Sequence, residues 1–160
     1  MAFDPNGFVG KRVQQMAGSR FFRSVGPKIV PPLDRVLHKV SRGRFIISRL
    51  MMPSAVLTTT GRKSGAARES AVAAFKIDDA IYVVGSNFGK TTHPAWSWNL
   101  IETPRHHVSW QGQNYDANAA LLDGVERAAA WSKLITLWPL YEKYEREADR
   151  QLRVFRLDPV

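Results

Sequence analysis

The amino-acid sequence predicts an α+β protein built on a small antiparallel barrel, and three of its features carry that reading. From residue 55 onward, short runs rich in β-branched residues alternate with turn residues. Several of these runs are separated by two to four residues. A parallel crossover needs about a dozen, so the strands pair as hairpins. The helical patterns fall between hairpins and do not alternate one for one with strands.

Taken in order, the elements support this. Phe8, Val9, Val13 and Met16 recur at helical spacing and stop near Gly18. After Gly26-Pro27 and Pro31-Pro32 the same spacing returns in Leu33, Val36, Leu37 and Val40, with Arg35, Lys39 and Arg42 between them. Residues 56–60, Val-Leu-Thr-Thr-Thr, read as a strand ending at Gly61. Residues 68–77 and 80–85 read as two more, joined at Asp78-Asp79. Pro94 suits the first position of a short helix over 95–101. Residues 106–110 and 115–122 form a further hairpin across Gln111-Gly112-Gln113-Asn114. Asp123-Gly124-Val125-Glu126 has capping-box spacing and opens a helix through Trp131, Leu134 and Ile135, which Pro139 breaks or restarts. A charged helical stretch over 141–150 and a strand over 152–157 complete the domain.

Charge divides the chain in two. The net charge is +9 over 160 residues. Residues 1–50 hold ten Lys or Arg against Asp4 and Asp34, while residues 51–160 are nearly neutral. The expected organisation is therefore a basic, amphipathic helical segment over 1–50 and a globular barrel over 51–160. The segment is expected to pack on the barrel with a solvated basic face. Contact with an anionic membrane surface is the alternative, since Phe21, Phe22, Ile29 and Val30 sit among its charges. Nucleic acid is not an expected partner. The absence of cysteine excludes a disulfide framework, a thiolate metal site and a cysteine nucleophile. No run approaches the roughly 20 apolar residues of a membrane span, and no secretory signal pattern opens the chain. The expected location is cytoplasmic, with peripheral attachment to the inner membrane face as an extension of the lipid reading.

Gly61-Arg62-Lys63-Ser64-Gly65 follows a strand and precedes Arg68. Two glycines permit a tight turn that brings backbone N–H groups close to a ligand, and three cations nearby suit phosphate or carboxylate. A basic hairpin turn has the same spacing, and the loop lacks the Walker pattern. Gly85-Ser86-Asn87 ends the third strand with small residues against which a flat ring could lie. Trp96 and Asn99 share a helical face. Trp138, Tyr141 and Tyr144 share another, as core packing or as a lid over a pocket. His106 and His107 point to opposite strand faces, and with His93 they make no convincing metal site, so no metal is expected.

The string 57–65, Leu-Thr-Thr-Thr-Gly-Arg-Lys-Ser-Gly, followed by Arg68, closely resembles the opening motif of the deazaflavin-dependent nitroreductase family of actinobacteria. The likeness continues through Gly85-Ser86, through His93-Pro94-Ala95-Trp96-Ser97-Trp98-Asn99-Leu100, and through Trp138-Pro139-Leu140-Tyr141-Glu142-Lys143-Tyr144. The resemblance implies a split β-barrel of the flavin-reductase, FMN-binding type with flanking helices. It also implies coenzyme F420, a deazaflavin carrying a phosphodiester and an oligoglutamate tail, with FMN as the alternative. Carried over by position, Arg62, Lys63, Ser64 and Arg68 would hold phosphate and tail. Glu69, Ser70, Ala71, Val72, Ala73, Val84, Gly85, Ser86 and Asn87 would line the ring. Ala95, Trp96, Ser97, Trp98 and Asn99 would contact its other side, and Tyr141 would close over it. Ser86 and Tyr141 are the implied hydrogen-bonding residues of hydride transfer to a quinone or nitro compound, with Trp138, Tyr141 and Tyr144 lining the acceptor pocket. Asn87 and Trp138 stand where the nitroreductase pattern has a lysine and a tyrosine, so the resemblance does not carry nitroimidazole activation over to this chain.

Overall fold

The computed structural model describes residues 7–17 and 52–160, with a few single positions between them. Phe21, Phe22, Val30 and Leu37, and most of the second N-terminal helix expected from the spacing, lie outside the described residues. Six strands form one closed barrel: β1 (Ser54–Thr60), β2 (Ala67–Ile77), β3 (Ala80–Val84), β4 (Arg105–Trp110), β5 (Gln113–Leu121) and β6 (Val154–Pro159). Their order around the barrel is β1-β2-β3-β6-β5-β4, and every neighbouring pair is antiparallel. The α+β barrel expected from the hairpin spacing is therefore what forms. The β4–β5 turn is tighter than the spacing implied. Gln111 and Gly112, at φ 50° and 83°, turn the chain alone, and Trp110 pairs directly with Gln113.

Strand alternation sorts the apolar side chains into two clusters. Ala55, Leu57, Val72, Ala74, Val83, Val108, Ala117, Phe155 and Leu157 fill the barrel interior. Helix α2 (Ala95–Glu102) adds Trp96 and Leu100 to that same cluster, so it is packed onto the barrel by one face. The outer cluster joins Phe75, Ile77, Val84 and Val154 to helices α3 (Gly124–Leu137) and α4 (Leu140–Ala148) through Leu134, Trp138, Tyr141 and Tyr144. Val13 of helix α1 (Phe8–Ala17) packs against this outer cluster.

One local expectation is corrected. Asp123 does precede α3, but its side chain makes no capping hydrogen bond, so the capping box is a spacing without the bond. Pro139 breaks and restarts the helix as its position implied. The helix ends at Leu137, Trp138 leaves helical geometry, and a new helix starts at Leu140. A buried ion pair adds to the packing of this helix pair on the barrel. Arg127, 11% exposed, donates to Glu145 at 2.8 Å and to the Leu152 carbonyl at 3.1 Å, and lies 4.7 Å over the Trp131 ring. Glu145 also accepts from the Leu152 N–H at 3.3 Å, so one buried pair ties α3, α4 and the approach to β6.

Candidate cofactor site

The β1–β2 loop is a self-closed turn. Gly61 N–H donates to Ala66 O at 2.8 Å, and Ser64 and Gly65 N–H both donate to Gly61 O. A Cβ at Gly61 would come within 2.9 Å of Ser64 Oγ, and Gly65 sits at φ +66°, so both glycines are required by geometry. The Ser64 hydroxyl accepts from Ala66 N–H and from Arg68, both at 3.3 Å. Arg62 N–H donates to Asn99 Oδ1 at 3.1 Å, and Asn99 Nδ2 donates to Thr59 Oγ1 at 3.0 Å. These bonds correct the expected backbone cradle: the loop's N–H groups at 61, 62, 64, 65 and 66 are engaged within the protein. The side chains of Arg62, Lys63 and Arg68 are left exposed beside it.

Asn99 is 6% exposed, and its amide ties α2 to the loop. Trp96 packs on Phe155, ring centroids 5.8 Å apart, and belongs to the barrel core. Ser97 is fully buried and donates to the Pro94 carbonyl at 2.8 Å. Of the expected contacts on α2, only Ala95 and Trp98 are exposed.

β2, whose backbone was expected to line the ring, outruns its neighbour. It pairs with β1 from Ala67 to Ala73, but β3 joins it only from Ala74, where Ala74 meets Val83. Among the described strands, one backbone edge of residues 67–73 thus stays unpaired beside the end of β3. Glu69, Ser70, Ala71, Val72 and Ala73 lie along this edge, while Val84 and Gly85 at the end of β3 meet Val154 and Arg153 on the other side. The Val72 side chain itself points into the barrel core.

The loop after β3 is strained and stapled. Asn87, Phe88 and Gly89 take φ of 47°, 55° and 76° in a 3-10 turn, a left-handed run that L-residues adopt at a cost. Ser86 is half-buried, and its hydroxyl caps nothing in this turn. Asn87 Nδ2 donates to Thr92 O at 2.9 Å, so its side chain braces the loop. Arg150, which spacing gave no reason to single out, donates to Gly85 O, Ser86 O, Lys90 O and Thr92 O at 3.1–3.3 Å. Arg153 was also missed: it lies 3.6 Å over the Trp98 ring, which Arg62 approaches at 5.4 Å.

Trp138, Tyr141 and Tyr144 share a face as the spacing predicted, but that face turns inward. They are 1%, 2% and 3% exposed within the outer cluster. Tyr141 stacks on Trp131 and meets Phe75 edge-on, and its hydroxyl is buried without a partner. Burial, then neighbouring Tyr144, pushes its pKa far up, so it stays a neutral phenol. The outer sheet face and its helices take up the apolar surface of these rings. Tyr144 is the one nearest the β3 loop: a Cβ at Gly89 would sit 3.2 Å from its Cδ1.

His93 completes the site. Arginine only donates, so His93 Nδ1 accepts from Arg150 at 3.0 Å and the ring proton sits on Nε2. Burial, then Arg150 and Arg153, lowers its pKa to about 4. Burial also lowers that of His106, against the opposing pull of its bond to the Pro104 carbonyl. Between the ordinary histidine value of about 6.5 and these depressed values, the unfolded chain binds protons that the folded chain refuses. Stability therefore rises with pH through this window and is lost as pH falls through it. Thermal melts taken from neutral pH downward should show a falling Tm, and His93→Gln should flatten the slope. A slope unaffected by that change would refute the neutral assignment.

Among the described residues, no acid pairs with Arg62, Lys63, Arg68 or Arg153, and no cluster of His, Asp or Glu could hold a metal. Residues 35–159 match the family described as F420H(2)-dependent quinone reductase. Among solved structures, the chain resembles the F420-H2 dependent reductase FDR-A, at 30% identity and a TM-score of 0.61, over 66% of this chain and 94% of that one. A protein solved as a domain-swapped dimer is 28% identical with a TM-score of 0.63, over 79% and 99% of the two chains. HutZ, the heme storage protein from Vibrio cholerae, shares the fold alone, at 14% identity and a TM-score of 0.50 over 80% and 90%. One barrel thus serves different ligands, and function rests on the family and the site. With the match spanning most of its length, the chain belongs to the F420H(2)-dependent quinone reductase family, and is an oxidoreductase that uses coenzyme F420.

Proposed function

We propose that this protein reduces a quinone with hydride from F420H2, the cofactor running from the β3 loop to the basic β1–β2 loop. The observation that carries the reading is charge without acid: Arg62, Lys63, Arg68 and Arg153 converge on one face with no carboxylate partner among the described residues. Four such cations exceed the needs of the single phosphate of FMN and suit a phosphodiester with a run of carboxylates. The unpaired backbone edge at 67–73 and the Gly85-Ser86 peptide fit the polar edge of a flat ring system.

The bound deazaflavin supplies the hydride. Arg62, Lys63 and Arg68 hold its anionic end, while Asn99 keeps their loop in place. Arg150 fixes the carbonyls of Gly85 and Ser86, so the Ser86 hydroxyl is held where it can donate to an oxygen that gains charge. Tyr141 reaches an acceptor only if α4 shifts, because its hydroxyl is enclosed.

Purified protein with reduced coenzyme and menadione should restore the visible absorption of the oxidised deazaflavin, over a protein-free control. Binding without turnover of any quinone would sink the acceptor assignment. An activated nitro compound in the same assay tests the second acceptor class. Membrane association is proposed for residues 1–50, where exposed Ile29, Val36 and Val40 accompany the excess of basic residues. Co-flotation with anionic but not neutral vesicles is the expected result, and no described helix is long and apolar enough to cross a membrane.

A further inference from the structure

Arg153 sits where two halves of the site meet. Its carbonyl accepts the Gly85 N–H at 2.8 Å, which places its main chain at the β3 loop. Its side chain donates to Ser97 Oγ at 3.2 Å and places its guanidinium carbon 3.6 Å over the Trp98 ring. The same indole is approached by Arg62 from the β1–β2 loop and edge-on by His93. Two guanidiniums on one ring, with Arg150 close behind and no acid paired to Arg153, is an arrangement that repels itself. The neutral His93 gives no relief, and the Ser97 hydroxyl takes up only one of five N–H donors. Stacking on the indole fixes the guanidinium plane and leaves its edge for a bidentate oxyanion.

We propose that Arg153, held on Trp98, binds the phosphodiester of the cofactor. The assignment rests on the reading that F420 lies along this face. It follows from order along that face: Gly85 and Ser86 are at one end, Arg62 and Lys63 at the other, and Arg153 bridges them. In the cofactor, the phosphodiester is the group between the ring with its side chain and the glutamate tail. Trp98 is then a positioning residue, and the loop cations are left for the tail.

The test is equilibrium binding to the full chain, followed by deazaflavin fluorescence, with three probes. They are the deazaflavin riboside lacking phosphate, the phosphodiester form lacking glutamates, and the form carrying several glutamates. Arg153→Gln should weaken the second and third probes by the same factor, about tenfold or more for a charge-assisted contact, and leave the riboside unchanged. Arg153→Lys should recover part of the loss. Trp98→Leu keeps every charge but removes the platform, and should cost the phosphodiester probes a few-fold (from about 0.5–1 kcal/mol). A loss confined to the glutamate form would move Arg153 to the tail and overturn the assignment. A loss shared by the riboside would make Arg153 a packing residue, and no loss with any probe would remove it from the site. Wild-type protein that binds none of the three would instead overturn the cofactor reading beneath it.

Discussion

Replacing Arg127 by Ala should lower the free energy of unfolding by about 3 kcal/mol, the lower end of the cost of breaking a buried pair. The lower end applies because Glu145 keeps 24% of its side-chain exposure and can recruit water. The loss combines three terms: an unpaired carboxylate, a Leu152 carbonyl without the donor that Arg127 supplies, and an indole face stripped of its cation. For a chain of this size, roughly 2–4 °C of Tm accompany each kcal/mol, so a calorimetric shift of about 6–12 °C is expected. The double change Arg127→Met with Glu145→Leu should recover part of it, since it removes the unpaired carboxylate but leaves the Leu152 peptide without both partners. A single variant that melts with the wild type would show that α3 and α4 are held by packing alone. Cofactor affinity should fall less than stability, because the pair lies on the α3–α4 side of the molecule.

The second large effect belongs to the β1–β2 loop. Arg62→Ala combined with Lys63→Ala should weaken F420 binding by more than tenfold, each charge-assisted contact contributing on the order of 1.5–3 kcal/mol. Both side chains are exposed, so the melting temperature should hold. Added salt should narrow the gap between variant and wild type, since it screens the contacts the variant lacks. Isothermal titration checks both points, and an unchanged dissociation constant in dilute buffer would refute the assignment. Asn99→Leu tests the same loop from behind. It removes the bonds to Arg62 and Thr59 while leaving every cation, so its loss in affinity measures how far the loop is preorganised.

How much of this was legible in the sequence depends on how local the signal was. The three threonines before Gly61, the Asp78-Asp79 turn and Pro94 each act within a few residues, and each marks an element boundary in the structure to within a residue or two. The basic loop was legible as a concentration of cations, but not the fate of its N–H groups. That fate depends on Asn99, 37 positions away. Arg150 and Arg153 carried no signal at all: an arginine at a helix end and another before a strand are ordinary until the barrel brings them to Gly85. The aromatic spacing of Trp138, Tyr141 and Tyr144 gave the shared face correctly. Which way a face points is decided by the apolar surface of Phe75, Ile77 and Val84, so periodicity alone left core and pocket equally open.

The β3–β6 pairing has a consequence in time. Hairpins β1–β2, β2–β3 and β4–β5 join near neighbours, whereas Val84 with Val154 and Ile81 with Leu157 join distant parts of the chain. Closing such a seam is the slow event of folding, and its parting is the natural first step of opening. Gly85 and Arg153, and the four carbonyls gathered by Arg150, lie across that seam. A ligand gripping both sides would therefore act as a clasp on the barrel, lengthening the lifetime of the folded state as well as deepening its equilibrium.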